Sequence, residues 1–204
     1  MKRRNSGHVR DWGALACLTL MMGVTITRVW AEENTPTSRG SLVIVADASA
    51  SYASYSFELP ERWHPVLNTR VLAMTQDTGF WVGEHMDRNA TLEISPNKKD
   101  PEQGPGSLDD FVKMVRDANL NAAHCSSGAI TEYASFKSST RYPYRAQLTS
   151  NCPVGVMGLL VFVDLPDHIV MFNLYAPGND VAAINPYMND LEQALNTFSW
   201  LLSS

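Results

Sequence analysis

Three cysteines in 204 residues are too few for a disulfide-dense scaffold. None of them forms a C-x-x-C pair, so no thioredoxin-type redox centre is encoded. The chain has no Rossmann or phosphate-loop glycine pattern, no zinc-finger spacing, no G-x-S-x-G elbow, no EF-hand loop and no internal repeat. Basic residues are outnumbered, 16 to 21, which excludes an electrostatic footprint for nucleic acid. No apolar run reaches the ~20 residues that a spanning helix needs. What remains is an ordinary globular composition, 45% hydrophobic and 18% charged. It is large enough for one domain with a core of its own.

The N-terminus pairs Lys2, Arg3, Arg4 and Arg10 with a 16-residue apolar run, Trp12 to Thr27. A small residue, Ala31, then precedes Glu32 and Glu33. This is the layout of an export signal, with cleavage expected after Ala31. The alternative is an uncleaved inner-membrane anchor. The basic n-region points to bacterial export and a periplasmic destination, with no stable membrane insertion once the signal is removed. Residues 1–31 carry five of the basic residues and one of the acidic ones. The remaining 173 residues hold 11 basic and 20 acidic groups. Such a chain favours a basic partner.

Cys17 lies inside the signal. Cys125 and Cys152 remain, and a disulfide between them is expected in an oxidising compartment. The segments 126–137 and 141–151 read as the arms of a hairpin with Ser138 and Ser139 at its tip. In that register facing residues sum to 277, which sets Cys125 opposite Cys152, Glu132 opposite Arg145 and Tyr133 opposite Tyr144.

Residues 32–53 read as a flexible lead, with Leu42 to Val45 able to add an edge strand. Residues 54–204 read as a single domain. Strands are predicted at Tyr55–Leu59, Thr69–Thr75, Phe80–Val82, Thr91–Ile94, Gly158–Asp164 and His168–Tyr175. Trp63 falls in a turn. Pro96 to Gly106, with three prolines and two glycines, reads as a mobile loop. Ser107 and Asp110 form a capping-box pattern for a helix carrying Leu108, Phe111, Val115 and Ala118 on one face. Asn185 and Pro186 open a second helix, with Tyr187, Leu191, Leu195, Phe198 and Leu202 as its apolar stripe. Strands joined by tight turns give an antiparallel sheet, and the helices must pack on it. The fold class is α+β.

Phe57-Glu58-Leu59-Pro60-Glu61-Arg62-Trp63 resembles the F-x-L-P-x-G-W strand motif of PsbP-like, Mog-type and DcrB-like proteins. Arg62 stands where those proteins carry glycine. The resemblance extends over roughly Ser54 to Leu202. It implies an α/β/α sandwich with a central antiparallel sheet and two main helices. It also implies a non-enzymatic role, since members of the family serve in assembly, small-GTPase binding, envelope functions, effector chaperoning and immunity to toxins. The family supplies no catalytic residues, cofactor or metal to carry over.

The expected function is therefore binding of a protein partner, of unknown identity, in envelope assembly or as an inhibitor. A narrower form is a periplasmic immunity protein against a secreted toxin. Candidate contact residues are Lys98, Lys99, Asp100, Glu102 and Gln103 in the loop, with Trp63 and Trp81 as aromatic anchors. The competing expectation is a small metal-dependent hydrolase. There His85 and Asp87, on one face of a strand, form a base–orienter pair or ligate an ion. Asp164, Asp167 and Asp180, near strand ends, are a weaker candidate for a calcium site. His64, His124 and His168 read as packed or surface histidines.

Overall fold

The computed structural model describes residues 41–46, 54–66, 80–102, 104–122, 125–126, 129–150, 152–153 and 155–201. The export signal and the lead to residue 40, the strand expected at Thr69–Thr75, and Gln103, His124 and Leu202 lie outside them.

The first strands are β1 (Ser41–Ala46), β2 (Ser54–Pro60), β3 (Trp63–Pro65), β4 (Trp81–His85) and β5 (Thr91–Lys98). Helix α1 (Leu108–Ala122) follows, then β6 (Ile130–Glu132), β7 (Tyr144–Thr149), β8 (Val156–Asp164) and β9 (His168–Pro177). Two 3₁₀ turns, Val181–Ala183 and Asn185–Tyr187, lead into α2 (Met188–Thr197) and a last strand, β10 (Ser199–Leu201). Seven strands form an antiparallel sheet in the order β3-β4-β5-β9-β8-β7-β6. Strands β1, β2 and β10 form a second, three-stranded antiparallel sheet, with β1 at its edge as expected. Among the described residues no helix is long and apolar enough to cross a membrane.

Strands β8 and β9 are apolar on both faces, as strands at the centre of a covered sheet must be. On one face Leu159, Val161, Val163, Phe172 and Leu174 meet Tyr55, Phe57 and Leu59 of β2 and Leu191, Ala194 and Leu195 of α2. On the other, Leu160, Phe162, Ile169 and Met171 lie under Phe111, Val112 and Val115 of α1. The result is the expected α/β/α sandwich, with the small sheet sharing a layer with α2. Trp81 fixes the two sheets together. Its indole stands edge-on to Phe57 with centroids 5.1 Å apart. It also folds across Gly83, where an added Cβ would lie 2.1 Å from the ring. Glycine is required there by close approach.

Several expectations need correction. The last helix ends at Thr197, five residues early. The Thr197 hydroxyl donates to the Gln193 carbonyl at 2.8 Å and accepts the Glu58 N–H at 2.9 Å, which ties the helix end to β2. Phe198 then turns to extended backbone and the chain joins the small sheet. Asn185 begins a 3₁₀ turn and does not cap α2. The hairpin register sums to 279, with Ile130 opposite Thr149 and Glu132 opposite Gln147. A two-residue shift preserves the faces but not the partners. The connection is also long. Ser138 and the Ser139 N–H bond Asn196 of α2, so the segment docks on a helix instead of closing a tight turn. Ser107 behaves as expected: its hydroxyl accepts the Asp110 N–H at 3.2 Å and donates to the Asp110 carboxylate at 2.7 Å.

Candidate functional site

The expected loop is shorter than its composition suggests. Pro96 and Asn97 belong to β5, paired with Val170 and Ile169. A proline fits there because β4 pairs β5 no further than Ile94. The remainder folds on itself. The Gly104 N–H bonds the Asp100 carbonyl at 2.7 Å, and the Asp100 carboxylate accepts the Glu102 N–H at 3.0 Å. Lys99 is drawn to the β8–β9 turn, donating to the Leu165 carbonyl at 2.6 Å and pairing with Asp164 at 2.7 Å. Lys98 and Glu102 are exposed, and Asp100 is half-buried. The segment is thus a closed turn presenting Lys98, Asp100 and Glu102, and not the open, mobile loop expected.

Trp63 and Trp81 do not join that surface. Trp63 is 1% exposed and Trp81 6%, and both belong to the core. Trp63 lies in β3 and not in a turn, because Arg62 and Asp190 hold it there. The Asp190 carboxylate, 2% exposed, accepts the Trp63 indole N–H at 2.8 Å and the Arg62 Nε–H at 2.8 Å. A second Arg62 nitrogen bonds its other oxygen. This is a forked, charge-assisted pair. Its hydrogen bond to Asp190 raises the Arg62 pKa. The arginine at the usual glycine position therefore has a structural use.

His85 and Asp87 converge as expected, with Nδ1 2.9 Å from the Asp87 carboxylate. A third polar group joins them, the Tyr187 hydroxyl, which donates to Asp87 at 2.8 Å. Asp87 also accepts the Asn89 N–H at 2.9 Å, closing the β4–β5 turn. Burial acts to raise the Asp87 pKa, but these three donors outweigh it and hold the carboxyl below its ordinary value. Burial, with the bond to Asp87, pushes the Tyr187 hydroxyl up to about 12. The His85 ring stands edge-on to Trp63 and to Tyr187, with centroids 5.2 and 4.9 Å away. The dyad is thus a corner joining β3, the β4–β5 turn and the entry to α2. Among the described residues no group of three His, Cys, Asp or Glu side chains is placed to hold a metal. Of the weaker calcium candidates, Asp164 pairs with Lys99, Asp167 with His168 at 3.1 Å, and Asp180 accepts the Ala182 N–H at 2.8 Å. Each carboxylate serves a different local contact.

Cys125 and Cys152 form the expected disulfide. It ties the chain just past α1 to the approach to β8.

No family model matches the chain, and no curated protein does. Solved structures do. The Ran-binding protein Mog1p of Saccharomyces cerevisiae is 11% identical, with a TM-score of 0.49, over 79% of this chain and 96% of that one. Cyanobacterial PsbP of Synechocystis is 12% identical, with a TM-score of 0.48, over 83% and 98%. A Bacteroides thetaiotaomicron protein is 10% identical, with a TM-score of 0.43, over 73% of this chain and 46% of its own. The chain is similar to these proteins in fold.

One group of residues was not anticipated from the sequence. Glu93 of β5 is 3% exposed and accepts the Asn173 side-chain N–H at 3.1 Å and the Tyr175 hydroxyl at 3.0 Å. Burial, against those two bonds, pushes its carboxyl up to about 7. A signal existed: Asn173 interrupts the apolar run Ile169 to Leu174, and Glu93 sits between Leu92 and Ile94. A polar residue inside a strand apolar on both faces marks a buried hydrogen bond.

Proposed function

We propose that the chain is an exported, disulfide-bonded module that acts by binding a protein partner, without catalysis. The observation that carries this reading is the disposition of its charged side chains. The groups capable of acid–base chemistry at the His85 corner are committed to holding elements together. The charged side chains Lys98 and Glu102 stand free at the end of paired strands, on a turn braced by Lys99 and closed by its own hydrogen bonds. A rigid, polar projection of this kind suits recognition. The disulfide supports an oxidising compartment, and the periplasm follows from the signal-like N-terminus. The excess of acidic residues after position 31 favours a basic partner. An inhibitor of a secreted toxin is the narrower form, and envelope assembly the broader one.

Affinity capture from a native envelope extract tests this reading. A single stoichiometric protein partner is expected. Its affinity should fall at least about tenfold in the charge swap Lys98→Glu with Glu102→Lys, while the Tm stays unchanged. A partner insensitive to that swap moves the contact elsewhere on the molecule. A chain that stays monomeric and captures nothing refutes the binding reading. The dyad geometry is the one observation favouring a hydrolase. Alanine at His85 should then abolish an activity, whereas a corner lock predicts a loss of stability alone.

A further inference from the structure

Six polar or charged residues among those described are buried: Glu93, Asn119, Gln147, Thr149, Asn173 and Asp190. Asp190 is paired within the corner described above. The other five gather on one half of one sheet face. Glu93 lies opposite Asn173, Asn173 opposite Leu160, and Leu160 opposite Gln147; Thr149 lies opposite Gly158. All of these point to the α1 side, since they share the alternation of Leu160 and Phe162.

Asn119 comes from above. Helix α1 runs back along β8. Its first turn is tied to β7 by the Asp109–Arg145 pair, and its far end leads to Cys125, bonded to Cys152 ahead of β8. Phe111 stands over Phe162, with centroids 6.0 Å apart. Eight residues of helix advance about 12 Å, and about 12 Å of strand is three to four residues. That carries Asn119 to the level of Gly158, where no side chain rises from the sheet. A Cβ built at Gly158 would meet Thr149 at 3.7 Å and the Asn173 side-chain oxygen at 4.0 Å, which is ordinary contact and leaves the space above it open.

The polar atoms at this level are unmatched. Asn119 Oδ1 and Nδ2, Gln147 Oε1 and Thr149 Oγ1 are buried without a hydrogen-bond partner. Three of the four are oxygens. Among the described residues no basic side chain pairs with Glu93. Acceptors exceed donors, and one carboxylate lacks a counter-charge. Groups left in this state cost about 1–3 kcal/mol each unless something satisfies them.

We propose that the space between α1 and the sheet, bounded by Asn119, Gly158, Thr149 and Asn173 and flanked by Glu93, is a binding site for a primary ammonium group. Such a group brings one positive charge and three hydrogen-bond donors, which is what this lining lacks. The site stands on the side of the sheet opposite the His85 corner and does not depend on the protein-binding reading.

Thermal unfolding of the chain at pH 8 and fixed ionic strength tests it, with the chlorides of ammonium, methylammonium, potassium and tetramethylammonium as probes. Burial raises the Glu93 carboxyl to about 7, so at pH 8 it is mostly ionised. The other titratable groups on this face are Tyr175 and Glu84 beside it, with Glu132, Arg145 and Asp109 farther off. Ammonium and methylammonium should raise the Tm in a saturable way, and tetramethylammonium, which cannot donate, should not. The shift should vanish in Glu93→Gln. In Thr149→Val, which keeps the side-chain shape, the affinity should fall about tenfold, the loss of one hydrogen bond. An ¹⁵N-ammonium signal protected from exchange with water would mark the bound cation directly. Potassium acting as strongly as ammonium would overturn the amine assignment. Equal shifts with all four salts, or none, would overturn the site.

Discussion

Replacing Arg62 by alanine removes the cation from Asp190. The carboxylate would remain, 2% exposed, with the Trp63 indole as its surviving side-chain donor among the bonds described. Breaking a buried ion pair from one side costs about 3–5 kcal/mol, most of it the isolated charge left behind. Arg62 is 45% exposed, so water already screens part of the interaction. A discounted cost of about 2–3 kcal/mol is expected. In a domain of this size each kcal/mol moves the Tm by about 2–4 °C, so the midpoint should drop by roughly 5–10 °C. Asp190→Asn removes the charge but keeps an acceptor for the indole, and should cost about 1–2 kcal/mol. The double variant carries no isolated charge. It should be no less stable than Asp190→Asn alone, giving a coupling of about 1.5 kcal/mol or more. Urea unfolding of the four proteins measures this cycle. A loss under about 0.5 kcal/mol in Arg62→Ala, or simple additivity, would refute the claim that this arginine holds β3 and α2 together.

Glu93 makes stability depend on pH. Its folded pKa of about 7 lies above the ordinary carboxyl value of 4.5, so the native state binds the proton more tightly than the unfolded chain does. This contribution is complete below about pH 4.5 and is lost as pH rises to about 7, amounting to about 3 kcal/mol over the window. Glu93→Gln should flatten that part of the profile in the absence of amines, read by urea titrations from pH 4.5 to 8. Removing the disulfide by serine substitution at Cys125 and Cys152 opens a loop of sequence separation 27 and should cost about 3–4 kcal/mol on the chain-entropy model. Calorimetry under oxidising conditions checks it, and a cost near zero would mean that the unfolded chain is already constrained there. Gly83→Ala should displace the Trp81 indole and destabilise by at least about 1–3 kcal/mol. Near-ultraviolet circular dichroism should change with it.

Much of the fold was legible because its cues are local. The β8–β9 pair announces itself by two apolar runs around Leu165-Pro166-Asp167, and α1 by the Ser107–Asp110 cap. The pairing of Cys125 with Cys152 followed from count and compartment. Misreadings arose where tertiary contacts overrode a local pattern. Phe198 and Trp200 continue the helical stripe of α2, yet the Thr197 hydroxyl and the free edge of β2 draw them into a strand. The Ser138-Ser139 tip looked like a turn, but Asn196 of a distant helix holds it as part of a longer connection. Trp63 and Trp81 read as surface anchors because nothing in their neighbourhood shows Asp190 or Phe57 approaching from over a hundred residues, or from another sheet, away. The His85–Asp87 pair was legible from strand alternation; Tyr187, which turns it into a lock, was not.

The most direct test of the binding reading places a photo-activatable cross-linking residue at Glu102 of the full chain in its native cells. Lys98 serves as a second position and Met86, exposed on the opposite turn, as a control. One discrete protein adduct from positions 98 and 102, and none from 86, is the expected result. Absence of any adduct at 98 and 102, from a chain shown to be folded and oxidised, would contradict a partner-binding role for this turn.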